Sequence, residues 1–236
     1  MMINKLLLAI SISSILFTTS YAENNCHPEI SDTTNNYLIG YGSLMNDKSR
    51  AVTNPSVKNV YPILVKNYER VWGLQPPNLQ GTFLLAVPKK GSEFNGVYYK
   101  VDSNDLVEVD KREITYCRVK LKDKNIEAMA LKSLPNGIYW IYSSDKKDKI
   151  KLPSKNNPIT QHYVDIFING CLQMQNRYNI PKFSNMCITT THGWSDTYWV
   201  NDRIYPRRPT DTTPNALLID KKLSAHLKNY YKHPFK

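Results

Sequence analysis

Short apolar runs separated by turn residues occupy the first half of the chain, between Tyr37 and Leu131. Because these runs are rich in β-branched and aromatic residues, they predict strands at residues 37–41, 60–72, 82–87, 96–101, 115–121, 126–131 and 138–142. Clusters of Pro, Gly, Asn and Asp predict turns at residues 76–78, 88–92 and 102–105. We therefore interpret this half of the chain as β-rich.

The pattern changes after residue 157, where apolar residues recur every three or four positions. A lysine- and serine-rich stretch at 143–157 precedes the change and is interpreted as an exposed loop. Pro158 suits the first turn of a helix, and the apolar face that follows consists of Ile159, Tyr163, Ile166, Phe167, Cys171, Met174 and Tyr178. A second amphipathic helix is predicted at 216–231, with a lysine-rich face that we interpret as solvated. The fold class is therefore α+β, with a barrel-like sheet and helices packed around it.

The N-terminus has the pattern of a signal peptide. Lys5 precedes an apolar run at residues 6–17, and Ser20 and Ala22 form the small-x-small pattern that signal peptidase cleaves. We expect a signal peptide at 1–22 and a mature domain at 23–236 that is exported, periplasmic or secreted, without stable membrane insertion. The run is too short to span a bilayer comfortably, and a retained anchor is the alternative.

Export changes the interpretation of the four cysteines, which are Cys26, Cys117, Cys171 and Cys187. An even number in an oxidising compartment is typical of disulfides, and four cysteines allow three pairings. The spacing contains no C-x-x-C, and neighbouring Cys26 and His27 alone do not make a metal site. We interpret the cysteines as structural, either free or bridged. The formal net charge of +11 permits contact with an anionic partner.

Two segments carry candidate chemistry. In the first, Gly40 and Gly42 allow a sharp turn after a strand, so that the backbone N–H groups of Tyr41, Gly42, Ser43 and Leu44 point toward one anion. The alternative is a plain turn in which Ser43 caps a helix.

The second segment follows the strand predicted at 96–101. With Leu106 and Val109 facing the core, Glu113 lies one helical turn further along the same side, where its carboxylate is partly buried and suited to proton transfer. The alternative is a surface glutamate paired with Lys or Arg.

Together, the Tyr-Gly-Ser-Leu loop at 41–44, the Gly-Val-Tyr-Tyr strand from residue 96, and the helix ending at Glu113 with Tyr116 and Arg118 after it resemble the γ-glutamylcyclotransferase-like family. The resemblance covers residues 37–131, which we take as the core of a single domain. Residues 158–236 resemble the C-terminal helical extension of longer members.

The resemblance implies a small mixed β-barrel with flanking helices and a metal-independent enzyme of lyase or acyl-transfer type that needs no cofactor. The substrate is a small γ-glutamyl amine or peptide, which cyclises to 5-oxoproline. Glu113 then matches the catalytic acid/base, while Tyr41, Gly42, Ser43, Leu44 and Tyr116 bind the substrate. Many members have glycine after the catalytic Glu, whereas this chain has Ile114. No nucleic-acid partner is expected, and the oligomeric state stays open.

Other patterns lead to alternatives. Residues 189–196 hold hydroxyls, His192 and Asp196, but no G-x-S-x-G motif of a serine hydrolase; we expect His192 and Trp194 to order a loop or form a wall of the substrate pocket. Arg203, Arg207 and Arg208 either clamp an anion or pair with Asp202 and Asp211. A secreted basic binding protein or a pseudo-enzyme on the same scaffold is the alternative function.

Overall fold

The structure, a computed structural model, describes residues 26–31, 33–144, 150–205 and 214–230. Its strands are β1 (Asn36–Gly40), β2 (Val60–Leu74), β3 (Phe83–Val101), β4 (Cys117–Lys120), β5 (Ile126–Ala128), β6 (Ile138–Ser143), β7 (Ile159–Thr160), β8 (Thr191–His192) and β9 (Trp199–Val200). Its helices are α1 (Asp47–Ala51), α2 (Ser103–Arg112), α3 (Gln161–Tyr178), α4 (Phe183–Thr189) and α5 (Ala216–His226).

The two longest strands, β2 and β3, form an antiparallel hairpin at the centre of the main sheet. The turn predicted at 88–92 is wrong, because these residues lie inside β3 and Pro88 is paired with Tyr68. The turn-forming residues instead accompany a local irregularity in the pairing of β2 with β3. Asn67 and Gly91 both have positive φ, and the Gly91 N–H donates to Asn67 Oδ1 at 3.2 Å. A continuous partner strand thus outweighs the local preference for a turn.

The main sheet has the strand order β4-β6-β1-β3-β2-β5, and β8 pairs with β2 beside this path. The β1–β3 and β2–β3 pairs are antiparallel, whereas β1–β6 is parallel, so the sheet is mixed. The predicted α+β class is confirmed. The sheet is not a closed barrel, because β4 and β5 stand at opposite ends of the described strand order.

The helices pack on this sheet with some changes from the predicted bounds. The prediction of Pro158 in the first turn of α3 is wrong: Ile159–Thr160 pair with β9, so the helix begins only at Gln161. Short α4 was not predicted, although its Phe183, Cys187 and Ile188 are buried. In α5, Ile219 and Leu223 face the core as the apolar pattern predicted.

Two disulfides are present, Cys26 to Cys117 across 91 residues and Cys171 to Cys187 across 16 residues. Paired cysteines are compatible with an oxidising compartment. The predicted signal peptide at 1–22 lies outside the described residues. None of the helices in the described ranges has the length and apolar character needed to cross a membrane.

Candidate active site

The loop that follows β1 turns sharply at two glycines. A Cβ atom on Gly40 would lie 2.8 Å from the Cβ of Leu44, and one on Gly42 would lie 2.8 Å from the hydroxyl of Tyr163. Gly40 therefore needs glycine for the close approach of Leu44, whereas a side chain at Gly42 would displace the Tyr163 hydroxyl. Residues 43–45 form a 3-10 turn that Ser43 does not cap, so the capping interpretation of Ser43 is wrong. The side chain of Asn46 caps α1 instead.

Glu113 terminates α2, which begins with a reciprocal capping box between Asp102 and Asp105. Leu106 and Val109 are buried on the face that the sequence pattern predicted. The Glu113 N–H donates to the carbonyl of Val109 at 2.8 Å, which fixes the backbone from which the carboxylate extends. Only 16% of the Glu113 side chain is exposed. Glu113 therefore sits at the edge of the core rather than on an open surface.

Arg112 links Glu113 to the loop, and sequence reasoning missed it. Its Nε lies 3.2 Å from Glu113 Oε1, so the alternative of an ion-paired glutamate is also met in part. Its Nη2 donates to Ser43 Oγ at 3.0 Å, and its Nη1 donates to the Ser49 carbonyl at 2.9 Å. Its position next to Glu113 in the sequence was the one signal that could have identified Arg112, because its contacts to Ser43 and Ser49 depend on the tertiary fold.

Three tyrosines surround the loop and Glu113. The Tyr41 hydroxyl donates to the Tyr142 carbonyl at 2.7 Å, and the Tyr116 hydroxyl donates to the Leu84 carbonyl at 2.8 Å. Burial, with a smaller contribution from the negative charge of Glu113, raises the pKa of Tyr41 well above its usual value. Burial first and Glu113 second also raise the pKa of Tyr163 to about 12. At neutral pH these phenols are therefore uncharged hydrogen-bond donors.

The predicted site residues meet in one place. Tyr41, Gly42, Ser43, Leu44, Glu113 and Tyr116 all line a recess of about 30 Å³. An adjoining cleft of about 500 Å³ shares Ser43, Glu113, Tyr116 and Tyr163 with the recess. The recess and the cleft are therefore contiguous. Tyr163 and two other residues that line the cleft, His162 and Ile166, belong to α3.

A buried cation lies behind the loop. Arg70 is fully buried, and its Nη1 donates to the carbonyls of Tyr41 at 3.3 Å and Asn95 at 2.6 Å. Its Nε donates to Thr191 Oγ1 at 2.7 Å, and its Nη2 donates to the Cys187 carbonyl at 3.0 Å. Burial lowers the pKa of Arg70 to about 9, so the guanidinium keeps its charge at neutral pH. The loop is therefore hydrogen-bonded, through the Tyr41 carbonyl, to a buried positive charge.

The other predicted constellations lie elsewhere. Trp194 stacks on Trp199, and His192 lies 3.8 Å from Glu69. Neither His192 nor Trp194 lines the cleft, so the prediction that they form a wall of the substrate pocket is wrong. Cys26 is disulfide-bonded, which excludes it as a thiolate ligand. Within the described ranges, His, Cys, Asp and Glu side chains form no group of three or more suited to a metal ion.

Arg203 does not pair with Asp202 as the sequence suggested. It binds the carboxylates of Asp165 and Asp220, and Asp202 instead accepts the backbone N–H of His162 at 2.7 Å. Arg203 is therefore not available as an anion clamp. The other three residues of that prediction, Arg207, Arg208 and Asp211, lie outside the described residues.

Comparisons with known structures give neighbours of low identity. A structure named Gamma-glutamyl cyclotransferase is 14% identical with a TM-score of 0.49, and the match covers 78% of this chain and 98% of that one. An uncharacterized protein from Homo sapiens is 14% identical with a TM-score of 0.48, covering 67% and 90% of the two chains. A gamma-glutamyl cyclotransferase specific to glutathione from yeast is 13% identical with a TM-score of 0.40, covering 66% and 97%. No curated protein sequence matches this chain.

The comparison with family models is more informative. The model described as Gamma-glutamyl cyclotransferase, AIG2-like, matches residues 38–156 of this 236-residue chain. That span includes nearly all of β1, the loop at 41–44, and α2 with Glu113, and it ends before α3. The chain therefore belongs to the gamma-glutamyl cyclotransferase, AIG2-like, family.

Proposed function

We propose that the protein is an exported γ-glutamylcyclotransferase that converts a γ-glutamyl amine or peptide to 5-oxoproline and releases the amine. Glu113 acts as the acid/base, and the backbone N–H groups of Tyr41, Gly42, Ser43 and Leu44 hold the substrate carboxylate or the oxyanion. The observation that carries this proposal is that Glu113 and the loop line one recess.

The reaction needs one proton acceptor and one anion site. The Glu113 carboxylate takes a proton from the α-ammonium group of the substrate, and the freed nitrogen attacks the γ-carbonyl carbon. A tetrahedral oxyanion forms and is stabilised by backbone N–H donors. The bond between the γ-carbon and the leaving nitrogen then breaks as Glu113 returns this proton to that nitrogen. The attacking nitrogen, which still carries two hydrogens and a positive charge, gives up its second proton, and that proton ends on the released amine. The products are 5-oxoproline and the amine in its ammonium form, so atoms and charge balance.

The neighbouring residues support these roles. Arg112 contacts both the Glu113 carboxylate and the Ser43 hydroxyl, so it positions the acid/base relative to the loop. Tyr116 contributes a wall of the recess. The attack is intramolecular, so the site contributes mainly by holding the substrate in its folded-back conformer, an effect worth up to several orders of magnitude in rate.

Export is the second part of the proposal. It rests on the signal-peptide pattern at 1–22 and is compatible with the two disulfides. Mass spectrometry of protein collected from the periplasm or the medium should give an N-terminus at Glu23. An N-terminus that retains residues 1–22 in that fraction contradicts cleavage at this site.

The activity test uses three proteins. The parent, Glu113→Gln and Glu108→Gln are incubated with γ-glutamyl amino acids, γ-glutamyl amines and glutathione, and 5-oxoproline is measured by mass spectrometry. Glu108 is a matched control, because it lies on the same helix but is exposed and paired with Lys111. We expect Glu113→Gln to lose at least about a hundredfold in kcat/KM, since the amide cannot accept the proton. Glu108→Gln should retain parental activity.

The outcomes separate the alternatives. Full activity in a folded Glu113→Gln protein removes Glu113 from the mechanism. No 5-oxoproline from the parent with any substrate rejects the enzymatic proposal and favours a binding protein or pseudo-enzyme on this scaffold. Thermal melting of all three proteins excludes unfolding as the cause of a loss.

A further inference from the structure

The walls of the cleft that adjoins Glu113 are mostly apolar. Its volume of about 500 Å³ lies within the range of about 300–1,000 Å³ that is typical of ligand-binding clefts. The apolar side chains of the wall include Leu74, Leu79, Phe83, Ile114 and Ile166, and the aromatic side chains of Tyr116 and Tyr163 line it as well. A leaving group as small and polar as glycine leaves most of this surface uncovered.

The charged groups of the cleft are already engaged. Arg112 contributes the one guanidinium or ammonium group among the described residues that line the cleft, and it is bound to Ser43, Ser49 and Glu113. Asp202 accepts the backbone N–H of His162. A carboxylate on the leaving group would therefore lose hydration in the cleft, and the guanidinium of Arg112 would not compensate because it is already bound to other groups.

The position of the cleft decides which part of the substrate enters it. The loop and Glu113 line the recess, and the cleft begins at residues that both share, among them Ser43 and Glu113. A recess of about 30 Å³ admits the substrate carboxylate or the oxyanion but not the whole glutamyl part. The rest of the substrate therefore lies in the cleft, with the scissile amide beside Glu113 and the substituent on the leaving nitrogen along the apolar wall.

Resting on the proposed function, we infer that the substrate is a γ-glutamyl amide whose leaving amine is large, apolar and uncharged beyond its reacting nitrogen. Branched alkyl and aromatic amines are members of this class. Binding transfers the apolar substituent from water to the apolar wall, which favours reaction of this class over small or charged leaving groups. The chemistry is unchanged: the α-nitrogen bonds to the γ-carbon, and the amine departs with the returned proton.

The first experiment compares leaving groups on the parent protein. The substrates are γ-glutamyl benzylamide, γ-glutamyl glycine, glutathione and γ-glutamyl putrescine, which present an aromatic, a small anionic, a larger anionic and a cationic leaving group. We expect kcat/KM for the benzylamide to exceed that of each other substrate by about tenfold or more. The readout is 5-oxoproline formation under identical conditions.

The second experiment changes the wall. Leu79 is 47% exposed and lines the cleft, so Leu79→Arg adds a cation there with little effect on the core. We expect the ratio of kcat/KM for the benzylamide to that for γ-glutamyl glycine to fall about tenfold. Val107→Arg is the matched control, because Val107 is 49% exposed on α2 and is not part of the lining. That variant should keep the parental ratio.

The outcomes distinguish this inference from the proposed function. Absence of 5-oxoproline with every substrate means that the proposed function has failed. Turnover in which glutathione, γ-glutamyl glycine or the putrescine compound equals or exceeds the benzylamide leaves the proposed function standing and overturns the inference. An unchanged substrate ratio in folded Leu79→Arg overturns the placement of the leaving group in the cleft.

Discussion

Two arginines are held inside this protein in opposite ways. Arg70 is surrounded by carbonyl, amide and hydroxyl groups, and its guanidinium lies over the rings of Phe94 and Phe167. Arg203 instead makes two-pronged contacts with the carboxylates of Asp165 and Asp220, with N···O distances of 2.7 to 2.8 Å. We call these the Arg70 cluster and the Arg203 cluster.

The difference lies in where the positive charge is neutralised. Burial lowers the pKa of Arg70, whereas hydrogen bonds from Arg203 to Asp165 and Asp220 outweigh burial and raise the pKa of Arg203. In the Arg203 cluster the charge is cancelled locally, so this cluster joins α3 to α5. In the Arg70 cluster no carboxylate of the described residues contacts the guanidinium. Its positive charge therefore acts on the adjoining loop, through the hydrogen bond to the Tyr41 carbonyl.

Arg70→Met should have the largest effect on stability. The substitution leaves several buried acceptors without a donor, at about 1–3 kcal/mol each, and we expect the free energy of unfolding to fall by at least about 4 kcal/mol. Urea denaturation measures the change, and Arg70→Lys should restore part of it. Unchanged stability in Arg70→Met would mean that the acceptors find other donors.

Arg203→Met should destabilise by about 3 kcal/mol, because it leaves the buried Asp165 without its cation. This loss has a remedy that the Arg70 cluster lacks. Adding Asp165→Asn and Asp220→Asn removes both unpaired charges and should recover most of the stability. A triple variant less stable than Arg203→Met contradicts the view that the cluster is neutralised by ion pairing.

Removal of the Cys171–Cys187 disulfide should affect the Arg70 cluster selectively. The bridge closes a separation of 16 residues, for which the chain-entropy estimate is about 3 kcal/mol. The Cys187 carbonyl accepts from Arg70, so Cys171→Ser combined with Cys187→Ser should speed hydrogen exchange in α4 and near the loop. Faster hydrogen exchange in α5 without faster exchange in α4 would contradict this prediction.

Asp220→Asn should have the smallest effect, below about 1 kcal/mol, because this carboxylate is partly exposed. Burial acts to raise the pKa of Asp220, but hydrogen bonds from Arg203 and Tyr230 lower it below 3.8 overall. The stabilisation is therefore present above pH 3.8 and is lost as the pH falls through the lowered value. The melting-temperature difference between parent and variant should shrink on acidification. A constant difference contradicts this linkage.

Much of the fold follows from the sequence because its signals are local. The β-branched runs and the apolar spacing of α3 and α5 predicted these elements to within a few residues, except for the C-terminal end of α5. The turn at 88–92 failed because partner strand β2 continues past it. The start of α3 was misplaced because the pairing of Ile159–Thr160 with β9 depends on residues forty positions away.

The candidate site divides in the same way. The loop and Glu113 had sequence patterns of their own, and these predicted residues line one recess. Arg112 and Arg70 were not predicted as site residues, and Tyr163 was predicted only as part of the apolar face of α3. Their contacts to the loop join residues 29 to 121 positions apart in the chain, and such contacts follow from the complete fold rather than from local spacing.

The long sequence separation of these contacts makes the recess a late part of the fold to form. The Tyr41 hydroxyl bonds to the Tyr142 carbonyl, 101 residues later in the chain, and the hydroxyl of Tyr163 lies beside Gly42, 121 residues away. Because pairings between distant residues form only after loop closure, a partly folded chain has an incomplete recess until α3 packs on the loop. The proposed active site is therefore completed late in folding.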